Sequence, residues 1–79
     1  MSYYVYILYS ETVSKFYTGS CADIHIRMEQ HNNGLSQYTK IGIPWKLVKL
    51  FEVENRTEAL KLENKIKKRG AQRFLNDLP

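Results

Sequence analysis

The run Tyr3-Tyr4-Val5-Tyr6-Ile7-Leu8-Tyr9 is apolar or aromatic at both odd and even positions, the pattern of a strand covered on both faces. It predicts the central strand of a sheet, with Tyr4, Tyr6 and Leu8 on one side and Tyr3, Val5, Ile7 and Tyr9 on the other. Ser10 to Lys15 is polar and turn-like, and Phe16-Tyr17-Thr18-Gly19 resumes strand character. The two runs are expected to pair as an antiparallel hairpin with a long loop, Gly19 marking the exit. A short helix should follow: Asp23 is a suitable N-cap, Ile24 and Met28 recur at helical spacing, and Asn33-Gly34 is a stop signal. Residues 35–44 contain Gly42 and Pro44 and read as an irregular surface loop carrying Tyr38 and Lys40. Trp45 to Val53 predicts a third strand, with Trp45, Leu47, Phe51 and Val53 on one parity and Lys49 interrupting that set. Asn55-Arg56-Thr57-Glu58 has capping-box spacing and opens a helical run to Arg69, which Gly70 ends. Ala71 to Leu78 is expected to form a short final helix whose Phe74, Leu75 and Leu78 pack back, before Pro79 closes the chain.

At 79 residues the chain allows one domain, taken as 1–79, with one modest core. Cys21 stands alone, so no intrachain disulfide can form, which fits a reducing cytoplasm. No signal peptide is visible, and Tyr3 to Tyr9 is too short to span a bilayer, so no membrane association is expected. The net charge of +4 suggests a polyanionic partner. Half of the twelve basic residues fall at Lys61, Lys65, Lys67, Lys68, Arg69 and Arg73.

Two features need chemistry to explain them. Arg27 and His31 are four apart on the first helix and stand one above the other, beside a strand-end tyrosine. On the second helix Ala59, Leu62 and Ile66 form the inward stripe, and Glu63 lies in the middle of it. A carboxylate there must be paired, protonated or bound to a metal, because burying it bare is costly. A salt bridge or a rim position would satisfy it structurally. Tyr6 and Tyr17, on paired antiparallel strands, are placed to share a face near both Glu63 and Arg27. Two phenols, an arginine, a histidine and an inward carboxylate make a kit for phosphodiester hydrolysis. No cysteine or histidine cluster suggests zinc, and neither a phosphate-cradling glycine loop nor a serine triad is evident.

On these residues the chain resembles the GIY-YIG endonuclease superfamily, in particular its small single-domain, UvrC-intron-type members, over almost its whole length. Tyr4-Val5-Tyr6 stands at the first triplet and Tyr17-Thr18-Gly19 at the second, with Arg27 ten residues after the second tyrosine and His31 where members carry histidine or tyrosine. His31-Asn32-Asn33-Gly34, Tyr38-Thr39-Lys40, Pro44-Trp45-Lys46-Leu47-Val48 and Glu58-Ala59-Leu60 leading to Glu63 and Ile66-Lys67-Lys68 also look like this branch. Ser20 departs from it, standing where some relatives place a lysine. The resemblance implies an α+β fold, a three-stranded antiparallel sheet flanked by helices in the order ββαβαα. It implies a site of Tyr6, Tyr17, Arg27, His31 and Glu63, with one magnesium or manganese ion on Glu63. Tyr17 is the first choice for general base, Tyr6 its partner or substitute, and His31 a relay or orienting group. Lys40, Lys67, Lys68 and Arg69 are expected to grip the phosphate backbone of DNA. The expected activity is metal-dependent cleavage of DNA with weak sequence preference and room for a structure-selective role in repair or recombination. The alternatives are a catalytically weak nucleic-acid-binding module of the same fold and a partner-binding protein.

Overall fold

The structure, a computed structural model, describes residues 2–78; Met1 and Pro79, including the expected chain-closing role of Pro79, lie outside the described residues. The strongly apolar N-terminal run becomes strand β1 (Tyr3–Ser10), which pairs antiparallel on both sides, with β2 (Lys15–Cys21) and with β3 (Lys46–Val53). The sheet order is β2-β1-β3, so the strand predicted to be central is central. Residues 11–14 close the β1–β2 hairpin as a short turn, in place of the long loop expected, with Ser14 at φ 53 supplying a left-handed bend.

Helix α1 (Ile24–Asn32) begins at Asp23, whose carboxylate accepts from the backbone N–H groups of His25 and Ile26 at 3.0 and 3.2 Å. Two otherwise orphaned helical donors are satisfied in this way. Its end is marked by Gly34 at φ 75, a left-handed position that glycine occupies without a Cβ clash. A 3-10 turn (Lys40–Gly42) lies in the connection to β3. Helix α2 (Arg56–Arg69) is capped by Asn55, which accepts from the Glu58 N–H at 2.9 Å, and Gly70 at φ 90 separates it from α3 (Ala71–Asp77). The order is ββαβαα, an α+β fold.

Strand alternation divides the core between the two faces of the sheet. Val5 and Ile7 pack with Ala59 and Ile66 of α2, all fully buried, and Phe16, Phe51, Val53, Leu62, Phe74 and Leu75 surround them. On the opposite face Tyr6, Leu8, Cys21 and Trp45 form a second cluster, over which Ile24 and Met28 of α1 are laid. The parity expected for the third strand is broken by a bulge: Ile7 pairs with Lys49 but Leu8 with Leu47, leaving Val48 as the extra residue. That insertion puts Leu47 with Leu8 on the α1 side, while Lys49, opposite Ile7, keeps the face of Phe51 and Val53. Trp45 is not the first strand residue; it is buried just ahead of β3, in the cluster beneath α1.

Candidate functional site

Register brings the two tyrosines together. Tyr6 lies opposite Gly19 and Leu8 opposite Tyr17, so Tyr6 and Tyr17 are diagonal neighbours on the face that α1 covers, with ring centroids 6.4 Å apart. Gly19 is not the strand's exit, because β2 continues to Cys21. Its role is steric: a Cβ there would stand 2.5 Å from the Tyr6 hydroxyl and 2.7 Å from the ring carbon bearing it. The glycine makes room for a phenol, and the phenol becomes the hub of the site.

From α1, the Arg27 Nε–H donates to the Tyr6 hydroxyl at 3.2 Å, while His31 Nε2 sits 3.0 Å from the same oxygen. On its other side His31 Nδ1 lies 2.7 Å from the Thr39 hydroxyl. Thr39 is itself fixed, since its carbonyl accepts from the Trp45 indole N–H at 2.6 Å. Asn32 ties the same tryptophan down: its side-chain oxygen accepts from the Trp45 backbone N–H at 2.7 Å. His31 and Thr39 are fully buried, and among the described residues no buried side-chain polar atom lacks a partner. A closed polar network of this kind fixes its members in one geometry.

Electrostatics gives the members different roles. Burial first, and then Arg27, hold the His31 pKa below its ordinary value, so the imidazole is neutral near pH 7 and carries one N–H. Burial also pushes the Tyr6 hydroxyl up to about 12, against the opposing hydrogen bond from Arg27. Tyr6 therefore keeps its proton, and the neutral imidazole, with one N–H and one lone pair, donates to one of its two hydroxyl neighbours and accepts from the other. The hydrogen bond to Tyr6 is the largest influence raising the Arg27 pKa, so the guanidinium is a permanent cation. A further guanidinium nitrogen donates to Gln30 at 2.9 Å, which leaves the rest of the fork open to an anion.

Tyr17 is only half-buried. Its ring packs edge-on to His31 at 5.3 Å and to Trp45 at 6.2 Å, and one side of it lines a surface hollow of about 550 Å³ with Phe16, Thr18, Tyr38, Lys67 and Ala71. Glu63 enters differently from the expectation. Its side chain is 15% exposed, so it does turn inward, but its hydrogen-bond partner is Lys67, at 2.7 Å, and not a phenol or the guanidinium. The link between Glu63 and the tyrosine cluster runs through Lys67, which lines the Tyr17 hollow.

The basic run divides as well. Lys67 faces the Tyr17 hollow, whereas Lys68 and Arg69 line a separate one with Lys65, Phe74 and Asp77, where Arg69 is bonded to Asp77 at 2.8 Å. Lys40 is exposed on the 3-10 turn. Thr39, Asn32, Trp45 and Gly19 support the site but carry no periodic signal that would mark them in advance. Among the described residues no group of three or more His, Cys, Asp or Glu side chains could cage a metal ion. A single inward carboxylate instead suits a hydrated ion such as magnesium, which retains waters and takes its remaining oxygens from phosphate.

With this geometry in place, the chain's sequence pattern matches the GIY-YIG catalytic domain across residues 2–76, and the protein belongs to the GIY-YIG family. Within it, the chain is similar to the UPF0213 proteins of Staphylococcus aureus: those of strains Mu3 and MW2 are each 40% identical over 75 residues, covering 94% of this chain and 90% of theirs. The solution NMR structure of a UPF0213 protein of Bacillus halodurans superposes with a TM-score of 0.59 at 29% identity, over 96% of this chain and 84% of that one. The family has a nuclease-type fold, binds nucleic acid and generally uses divalent metals. No helix among the described residues is long and apolar enough to cross a membrane.

Proposed function

We propose that the protein is a divalent-metal-dependent endonuclease that hydrolyses DNA phosphodiester bonds with little sequence preference, acting as one domain over residues 1–79. The observation that carries this reading is the pairing of a closed Arg27–Tyr6–His31–Thr39 network with an adjacent tyrosine, Tyr17, that opens onto a hollow. Buried Tyr6, its hydroxyl engaged on two sides and pushed up to about 12, is a poor proton acceptor. Tyr17 is the general base: after its own proton has passed to solvent, its phenolate oxygen takes a proton from the water whose oxygen forms the new bond to phosphorus. The free part of the Arg27 fork binds the non-bridging phosphate oxygens and stabilises the negative charge that concentrates on them as the opposite P–O bond breaks. His31 orients Tyr6, and Tyr6 in turn orients Arg27. Glu63 would hold a magnesium or manganese ion, which supplies charge neutralisation at the leaving oxygen. Lys40, Lys67, Lys68 and Arg69 contact the phosphate backbone, Arg69 after leaving Asp77. Such contacts read no bases and make binding fall steeply with salt.

The test is nicking of supercoiled plasmid in magnesium, beside an EDTA control and Glu63→Gln. The expected result is nicking by the unaltered protein alone; equal nicking by Glu63→Gln rules the reading out. A second reading is a binding module of the same fold with little turnover, and it is favoured by one observation, the capture of Glu63 by Lys67. It predicts a duplex-DNA shift at low salt with no magnesium-dependent nicking.

A further inference from the structure

Of the ion pairs among the described residues, Lys67–Glu63 stands apart. Lys46–Glu11 and Lys61–Glu58 are 3.4 Å pairs in which both side chains are about half exposed or more. Arg69–Asp77 is short, at 2.8 Å, but its side chains are 50% and 55% exposed. In Lys67–Glu63 a 2.7 Å contact joins a carboxylate side chain that is 15% exposed to a lysine that is 53% exposed. The acid is sunk and fixed, whereas the ammonium is reachable and can turn. That ammonium also lines the hollow shared by Tyr17 and Tyr38.

We propose that Lys67 is a stand-in cation on Glu63: it fills the carboxylate in the free protein and releases it when a divalent ion and a nucleic-acid phosphate arrive together. This rests on the reading of Glu63 as the metal position. A carboxylate oxygen held by an ammonium at 2.7 Å is not free to ligate a metal, and an ammonium left beside a dication is repelled by it. Metal binding to the free protein must therefore break the pair without replacing it. When DNA is present, a phosphate in the Tyr17 hollow receives the displaced ammonium, and the loss is offset. Linkage then makes the effect reciprocal: metal tightens DNA and DNA tightens metal by the same factor. Lys67 is thus a positioning residue that couples metal loading to substrate, in addition to contacting phosphate.

The experiment measures Mn²⁺ binding by the loss of the free-ion electron paramagnetic resonance signal, with and without a short duplex. All proteins carry Tyr17→Phe so that the DNA stays intact. Without DNA, Lys67→Met is expected to bind Mn²⁺ about fivefold more tightly, or better, than the Lys67 protein, from release of a partly buried ion pair and of like-charge repulsion. Lys67→Arg, which keeps the cation, should stay close to the Lys67 protein. DNA should tighten Mn²⁺ binding more in the Lys67 protein than in Lys67→Met. Circular dichroism and a thermal melt establish that each variant is folded. If Lys67→Met binds Mn²⁺ no more tightly while Glu63→Gln abolishes binding, the stand-in role is wrong and the metal reading survives. If Glu63→Gln binds Mn²⁺ unchanged, the metal reading fails and the inference fails with it.

Discussion

The two faces of the sheet solve different problems with the same strand. Odd-numbered residues of β1, Val5 and Ile7, meet Ala59 and Ile66 in an apolar cluster that needs only volume and shape. Even-numbered Tyr6 and Leu8 meet Trp45 and Cys21 beneath α1, where the cluster also encloses a buried imidazole and threonine. Apolar burial contributes about 25 cal/mol per Å² and tolerates repacking. A buried polar network contributes little net stability when complete and is expensive when one member is missing. One face therefore holds the fold together, and the other spends part of its interior on holding a phenol, a guanidinium and an imidazole in a fixed relation.

That division can be broken selectively. Ile66→Ala removes a fully buried side chain from the apolar face and is expected to lower unfolding free energy by about 2–5 kcal/mol in denaturant titrations. The cleavage rate per folded molecule should fall far less than in Arg27→Ala, any loss arising through α2, which also carries Glu63 and Lys67; a loss as large as that of Arg27→Ala would mean that the faces are not separable. Arg27→Ala, on the other face, should reverse the pattern, with cleavage slowed about a hundred- to a thousandfold and a much smaller shift in the melt. Thr39→Val leaves the Nδ1 of buried His31 without a partner and should cost about 1–3 kcal/mol. Cost-free replacement would show that the imidazole does not depend on this threonine. The smallest expected effect is on pH dependence. Burial, and then Arg27, lower the His31 pKa in the folded chain, so below the ordinary 6.5 the unfolded chain binds a proton that the folded one refuses. Stability is full above 6.5 and declines as pH falls toward the folded-state value. His31→Gln should flatten that slope in chemical unfolding followed across this window.

Much of this was legible before any coordinates. The two-parity run Tyr3 to Tyr9 announced a central strand, because a short run that is apolar at both parities and rich in aromatic and β-branched residues suits a strand covered on both faces. Asp23 and Asn55 marked helix starts through a local mechanism, a side-chain oxygen accepting from backbone N–H groups, that tertiary context seldom overrides. The pairing of Arg27 with His31 followed from helical spacing. What stayed hidden depended on contacts between distant segments. The bulge at Val48 is a property of the β1–β3 register and moves Leu47 off the face it was expected to share with Phe51 and Val53. Gly19 looked like a turn residue because its use, space for the Tyr6 ring, belongs to the neighbouring strand. Thr39 sits in a loop without periodicity, so nothing local distinguishes it from its exposed neighbours Tyr38 and Lys40. The inward turn of Glu63 was readable from the stripe, and the salt bridge that would satisfy it is made by Lys67, four residues on, the spacing at which helical Glu–Lys pairs meet.

The division of labour between the two phenols is the centre of the account, and one comparison tests it most directly. The single-turnover cleavage rate of a labelled duplex in magnesium is measured for Tyr17→Phe beside the unaltered protein, after both are shown to melt at the same temperature. Loss of the base is expected to slow cleavage about a hundred- to ten-thousandfold. An unchanged rate in Tyr17→Phe would contradict the assignment of proton transfer to the phenol that opens onto the hollow.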